Sequence, residues 1–409
     1  MTGKYRLSRR TFLALGTAAL TAPMVMNRSA WAQGEAVKIG IILPTSGPLA
    51  VPGQASRRGI ELGEKLLAEA AGRPLEFIYT DTESKAENGR LAAERLIQDG
   101  CSLLIGAWDS GTTISAAQVA EQQQVPLLVN IASAPQLTEQ GYTQIFRNFT
   151  PATTLVYNAV ARIKDLSELT GIQPKTAVLM HVNDTFGQGV AGGVNALWDR
   201  LGIDIDIVEE ISYDLRARDL SVEVAKAKSA NADLLMPVTR VNDAILIVRE
   251  MVKQDFNPMG IIGPGSPGPY EKAFTDATGK FGDQYITCVP WYDPTNESTQ
   301  SAISEFQGMF PGERFELNVG FSYEAIQIAA DAISRAESGD PQAIRAALAG
   351  TNLTDHIMFG GPIEFDEKGQ NPNIGGAMLQ NQDSEPLVIG PKEIAVAEPI
   401  FPMTPFSDR

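Results

Sequence analysis

Histidine and cysteine are almost missing from this sequence: two of each, His181, His356, Cys101 and Cys288, among 409 residues. A serine or cysteine nucleophile needs a base within hydrogen-bond reach, and the two histidines align with no such partner. His181 sits in an apolar run, His356 lies in a Gly/Asn-rich tail, and no G-x-S-x-G turn accompanies either. No spacing of His, Cys and Asp matches a metal site, so neither metal nor cofactor is expected, and the chain does not read as an enzyme. The two cysteines are far apart and a chain of this size does not need a disulfide, so two buried thiols are expected.

Positive charge is scarce as well. Five of the 33 Lys and Arg residues lie in the first 32 positions, which hold no acid, leaving 28 basic against 49 acidic residues beyond them, a formal charge of −21. Such a surface repels nucleic acid and anionic headgroups, which excludes both as partners. After the first 32 residues no run of 18 uninterrupted apolar residues occurs, so nothing there reads as a membrane span. A flexible Gly/Ser linker is also missing, which points to domains held side by side by short hinges.

The opening segment differs from everything after it. "SRRTFLALG" sets Arg9 and Arg10 before an apolar run to Val25, and "AWA" at Ala30 to Ala32 supplies a small-x-small cleavage site. This looks like a twin-arginine export signal over residues 1–32, which predicts a periplasmic protein.

Beyond it, short apolar runs alternate with helical patterns. "VKIGIIL" (37–43), "LEFIYT" (75–80), "SLLIGA" (102–107) and "VPLLVN" (125–130) read as strands, with helices over 56–71 and 86–98 between them. The rhythm restarts with "TAVLMHV" (176–182), "DIDIVEEI" (204–211), "ADLLMPV" (232–238) and "GIIG" (260–263). Two such blocks predict an α/β chain of two doubly wound lobes with parallel sheets. "IFRNFTPAT" (145–153) reads as a segment crossing between the lobes rather than as a core strand. "QYITCVPW" (284–291) reads as a returning strand, followed by three helices.

"GQGVAG", Gly187 to Gly192, formally matches a dinucleotide-binding fingerprint. A fingerprint needs its first Gly at the tight end of a strand, and "HVNDTF" intervenes, so an ordinary Gly-rich helix start is the better reading. "LIGAWDSGTTISAAQVA" is more informative. It runs from a strand end through a turn into a helix, placing Asp109, Ser110, Gly111, Thr112 and Thr113 where caps are favoured. Ligands of open α/β sheets bind at the carboxyl ends of the strands, and a helix N-terminus suits an anion. The next strand end repeats the arrangement with Asn130, Ile131, Ala132 and Ser133, which brings Ser133 near Ser110.

Taken in order, "GIILPTSGPLAVPG", "LIGAWDSGTT", "VPLLVNIASAPQLT", "HVNDTFGQG", "GFSYEAIQIAADAI" and "GPIEFDEKGQN" resemble the periplasmic solute-binding proteins of branched-chain amino-acid-type ABC importers, over about residues 37–401. The resemblance implies a type I periplasmic binding fold of two Rossmann-like lobes joined by three crossings. Lobe 1 is then 34–150 plus 286–360, and lobe 2 is 151–285 plus 361–409. It implies a monomer that closes on a small solute and docks on membrane permease and ATPase subunits.

By the same resemblance Ser110 and Ser133 hold a ligand carboxylate, the carbonyl near Ile131 and Ala132 receives an ammonium, and Phe186 walls the cleft. Two positions depart from the pattern. Gly265 stands where amino-acid binders carry an acid, and Arg240 stands where a cleft tyrosine is common. A buried ammonium without its counter-charge is costly, while an arginine suits a second anionic group. With Trp108 as an apolar wall, the expected solute is a small organic acid, aromatic or dicarboxylic. Amino-acid or amide binding, a sensor domain for a membrane receptor and an exported enzyme stay open as alternatives.

Overall fold

The computed structural model describes residues 35–409, so the expected export signal lies outside the described residues. The first lobe alternates β1 (Val37–Leu43), α1 (Ala50–Leu67), β2 (Leu75–Asp81), α2 (Ala86–Gln98), β3 (Leu103–Gly106), α3 (Ser110–Gln123), β4 (Leu127–Val129), α4 (Gln136–Glu139) and β5 (Ile145–Arg147). Its sheet runs β2-β1-β3-β4-β5 with every pair parallel. The strands β1, β3 and β4 are almost wholly apolar because helices cover both faces of the sheet.

The second lobe follows the same rhythm: α5 (Ala152–Thr170), β6 (Thr176–Val182), α6 (Thr185–Leu197), β7 (Asp206–Tyr213), α7 (Ser221–Ser229), β8 (Leu234–Val238), α8 (Val241–Lys253), β9 (Gly260–Pro264), α9 (Lys272–Thr278) and β10 (Ile286–Pro290). The chain then returns to the first lobe with α10 (Glu297–Met309), α11 (Leu317–Ala336), α12 (Pro341–Ala349) and the two-residue strands β11 (Asn352–Leu353) and β12 (Ile363–Glu364). It ends in the second lobe, where β13 (Gly376–Gln382) and β14 (Glu385–Gly390) add an antiparallel edge to the order β14-β13-β10-β9-β8-β6-β7.

Three expectations need correction. Residues 145–147 are a core strand: β5 is buried and pairs with β4, and only residues 148–151 cross between the lobes. β10 belongs to the second lobe and not to the first, because β9, α9 and β10 form one parallel crossover unit before the chain leaves. The last return comes after residue 371 rather than at 361, since Gln370 still bridges to Arg147 of the first sheet.

Within the Gly-rich stretch at 187–192, Gly187 has a packing role. α6 lies so close to β6 that a Cβ on Gly187 would meet the Val182 carbonyl oxygen at 1.8 Å. Cys101 and Cys288 are buried and unbridged, and burial pushes their thiols up to about 11 and about 12. No described helix is long and apolar enough to cross a membrane.

The crossings are tied by a buried polar network. Glu324 of α11 accepts from Asn148 Nδ2 (2.9 Å), Ile357 N (3.0 Å), Met358 N (2.8 Å) and His356 Nδ1 (3.2 Å). Burial alone would lower the His356 pKa. Its hydrogen bond to Glu324, the charge on that carboxylate and the Gly361 carbonyl together raise it above the ordinary value. A raised folded pKa stabilises fully below the ordinary histidine value of about 6.5, and the gain is lost as pH rises through the raised value. His356→Gln should therefore flatten the dependence of the urea midpoint on pH in the range above about pH 6.5. A variant with the wild-type slope in that window would refute the coupling.

Candidate functional site

Strand ends of both lobes converge on one narrow cavity whose free space, counted out through its open mouth, is about 410 Å³. The first lobe contributes Trp108, Asp109 and Ser110 after β3 and Ile131, Ala132 and Ser133 after β4, with Leu317 and Asn318 from the start of α11. The second lobe contributes Phe186 from α6, Arg240 after β8, Gly265 and Pro267 after β9, Tyr270, Val289 of β10 and Leu155 of α5. Phe149 lines it from the first crossing.

Of the nine residues expected from sequence, eight border this cavity. Gly111 does not: one position further along α3 its Cα turns away, and a Cβ there would face Ala86 at 3.5 Å and Thr185 Oγ1 at 3.7 Å.

Two hydroxyls and one helix start face the cavity from the first lobe. Asp109 caps α3, its Oδ1 accepting from Thr112 N at 3.0 Å. Its Oδ2 is buried without a partner, and burial raises its pKa against the pull of the cap bonds and Arg240. Ser110 is the first residue of that helix. Ser133 is 2% exposed, and its Oγ is buried with no hydrogen-bond partner.

Trp108 has φ 77°, a region that a bulky residue enters only at a cost of about 1–3 kcal/mol. Its indole Nε1 is held by Asn318 Oδ1 at 2.8 Å. The Asn318 amide is oriented in turn by Glu316 Oε2, which accepts from both its N and Nδ2 at 2.9 Å. The indole is thus fixed as a wall by a chain of three residues.

Arg240 is not solvent-facing. It is 6% exposed, and its guanidinium carbon lies 4.7 Å from the Phe186 ring centre and 5.1 Å from that of Trp108. Nη2 donates to Asp184 Oδ2 at 2.6 Å, while Asp184 Oδ1 caps α6 by accepting from Gly187 N at 2.8 Å. Burial lowers the Arg240 pKa, but Asp184 and Asp109 outweigh it and keep the side chain charged. The charge that Arg240 brings to the cavity is therefore already answered by Asp184.

Sequence reasoning missed Asp184, Asn318 and Tyr270. Asp184 had a signal, an Asp three residues before a helix-start glycine in "NDTFG". Asn318 and Tyr270 had none: Asn318 is brought in by the returning chain, and Tyr270 is a single residue in the loop between β9 and α9. Neither histidine borders the cavity: His181 faces Glu210 at 3.3 Å, and His356 sits in the crossing network. Among the described residues no group of three His, Cys, Asp or Glu is placed to hold a metal.

A family model described as "Periplasmic binding protein" matches residues 36–384. Leu/Ile/Val-binding protein homolog 1 of Brucella abortus is 27% identical over 375 residues, covering 88% of this chain and 93% of the relative. A solute-binding protein of an R. palustris ABC transporter, solved in complex with benzoate, superposes with a TM-score of 0.76 at 20% identity, over 89% of this chain and 98% of that one. LivJ of Streptococcus pneumoniae, solved with isoleucine, gives 0.74 at 19% identity, over 87% and 100%. Identities this low speak for a shared fold.

Removing one partner of a buried pair costs about 3–5 kcal/mol. Asp184→Asn keeps the cap on α6 but strands the Arg240 guanidinium, so it should destabilise by about 3 kcal/mol, the lower end, because Asp184 is partly exposed. Arg240→Met in the same chain should return most of that loss. Unfolding of both variants in denaturant checks this, and an unchanged midpoint for Asp184→Asn would contradict it.

Proposed function

The chain belongs to the periplasmic binding protein family, and on that footing we propose that it captures a small organic acid between its lobes and hands it to the permease and ATPase subunits of an ABC importer. The observation that carries this reading is the division of the cavity. Ser110, the unpartnered Ser133 Oγ and the start of α3, with Asp109 beside them, make a polar end on the first lobe, while Phe186, Pro267, Leu155 and Val289 form an apolar wall on the second, next to Arg240 and Tyr270. A carboxylate at the polar end with a hydrocarbon or aromatic body behind it fits that division.

Gly265 supports an acid over an amino acid. As a glycine it offers no carboxylate to receive an ammonium, and its φ of +66° and a Cβ contact of 3.1 Å with the Leu155 side chain would strain any larger residue there. Arg240 contributes a stacked wall, since its charge is paired with Asp184, and the reading of a second ligand carboxylate at this residue is correspondingly weaker than that of a single one. The benzoate complex of the R. palustris protein provides a precedent on this fold.

One observation favours amino acids instead. Asp109 Oδ2 is buried without a partner and is a possible receiver for an ammonium. Isothermal titration with benzoate, short aliphatic acids, dicarboxylates, leucine and isoleucine decides between the two. Binding of plain acids is expected, and tight leucine binding without any acid binding would refute the proposal. Ser110→Ala and Ser133→Ala should each weaken acid binding about 10- to 100-fold, the worth of a hydrogen bond to a charged group, with unfolding midpoints little changed. Unaltered affinity in both would remove the hydroxyls from the site.

A further inference from the structure

A buried carboxylate needs positive charge nearby, and Arg240 shares its charge with Asp184 through Nη2, with its Nε left unpartnered. The other buried guanidinium of this region belongs to Arg147, the last residue of β5, which is 0% exposed. It donates from Nη1 to the Ala134 carbonyl at 2.7 Å and, at the limit of bonding, to the Ala132 carbonyl at 3.5 Å. Nη2 donates to Thr138 Oγ1 at 2.7 Å, and Nε to Gln370 Oε1 at 2.6 Å. All four acceptors are neutral. The carboxylates whose fields reach it, Glu139 and Asp366, are engaged elsewhere: Glu139 with Lys368 at 2.8 Å, and Asp366 with the amides of residues 368 and 370.

Two of those acceptors bracket Ser133, whose buried Oγ has no partner and borders the cavity. Across a trans peptide the carbonyl and the N–H point in opposite directions. Turning the Ala132 carbonyl towards Arg147 therefore sends the Ser133 N–H away from the cation. An uncompensated buried charge is costly, and an anion placed one turn away lowers that cost.

We propose that Arg147 is the counter-charge of the ligand carboxylate, acting through the turn at residues 132–134 without touching the ligand, and that it sets the preference of the cavity for an anion over a neutral isostere. Its purpose rests on the organic-acid reading, but its test does not. As a positioning residue it orients the turn, and as a charge it sets the potential at Ser133. At an effective dielectric constant of about 20, a unit charge in the neighbouring turn shifts a titrating group by roughly one to two pKa units.

Ser133→Cys places a thiol at the point where that potential acts, and the ultraviolet absorbance of its thiolate against pH gives its pKa. Burial holds the Cys101 and Cys288 thiols up at about 11 and about 12. The introduced thiol is buried as well, so burial raises it while the Arg147 charge lowers it, and it should titrate below both native cysteines. Adding Arg147→Lys, which keeps the charge, should leave it there. Adding Arg147→Met should raise it by about one to two units with the near-ultraviolet dichroism of the fold retained.

A thiol unmoved by Arg147→Met overturns the proposal. If Arg147→Met fails to fold, Arg147→Gln, which keeps hydrogen-bonding atoms and removes the charge, supplies the same comparison. A second arm uses benzoate and benzamide as probes, and the ratio of their affinities should fall at least tenfold in Arg147→Met with Ser133 intact; an unchanged ratio overturns the proposal. Failure of the wild-type protein to bind any acid sinks the organic-acid reading, while the thiol titration still decides the role of Arg147.

Discussion

Everything in this structure depends on how the chain crosses between two sheets without leaving buried backbone groups unpaired. Strands satisfy their amides through ladders, but a buried crossing has no ladder, and its polar groups need other partners. Here short polar side chains supply them. Gln370 Nε2 reaches the Phe149 carbonyl at 2.7 Å, Asn371 Nδ2 reaches Asn148 Oδ1 at 2.8 Å, and Asn148 Nδ2 reaches Glu324 at 2.9 Å. The backbone adds its own ties, with Arg147 N to the Gly369 carbonyl at 2.7 Å and Asn371 N back to the Arg147 carbonyl at 2.9 Å. The first and last crossings are thus laid against each other at one edge of the first sheet. That edge is also where Arg147 and the turn at Ser133 sit, so the hinge and the candidate site share one set of bonds.

The two lobes meet on the opposite side of the cavity through different chemistry. Arg240 of the second lobe stacks on Trp108 of the first, and Asn242 Nδ2 reaches the Pro48 carbonyl at 3.3 Å. Arg314 of the first lobe adds bonds to the Tyr270 and Ser384 carbonyls at 3.1 and 2.8 Å. In the proposed reading the lobes rotate about the polar network of the crossings, the hinge geometry that solute capture requires.

Much of this was legible in the sequence. Alternating strand and helix patterns predict two parallel α/β lobes, and the caps at Asp109 and Ser110 mark a strand end that feeds a helix. Eight of the nine chosen residues border the cavity because strand ends in one sheet are neighbours whatever the details of the loops. The failures share a different cause. β5 is only three residues long, and "IFR" carries too little pattern to separate a strand from a crossing. The position of β10 depends on which sheet its edges meet, and sequence periodicity is silent on that. Asn318 acts on Trp108 across 210 positions, a contact that exists only once α11 has packed on α1. Gly111 was drawn in by its neighbours, whereas helical rotation carries it off the cavity within one residue.

The charges around the cavity assign different tasks to the two lobes. Arg240 and Asp184 are both in the second lobe and pair with each other at 2.6 Å, so that lobe meets the cleft as an apolar, stacked surface with little net charge to offer. The first lobe, in the proposed reading, supplies the anion site from the hydroxyls and the start of α3, beside the Asp109 carboxylate and with the Arg147 guanidinium behind the turn. In the proposed reading the carboxylate is held by the first lobe before closure, and the body of the solute then decides how well the second lobe covers it. Affinity for the anion and selectivity among acids would thus be set by different lobes. A change in Phe186 or Pro267 alters which acid is preferred, whereas the residues around Ser133 determine whether an acid is held at all.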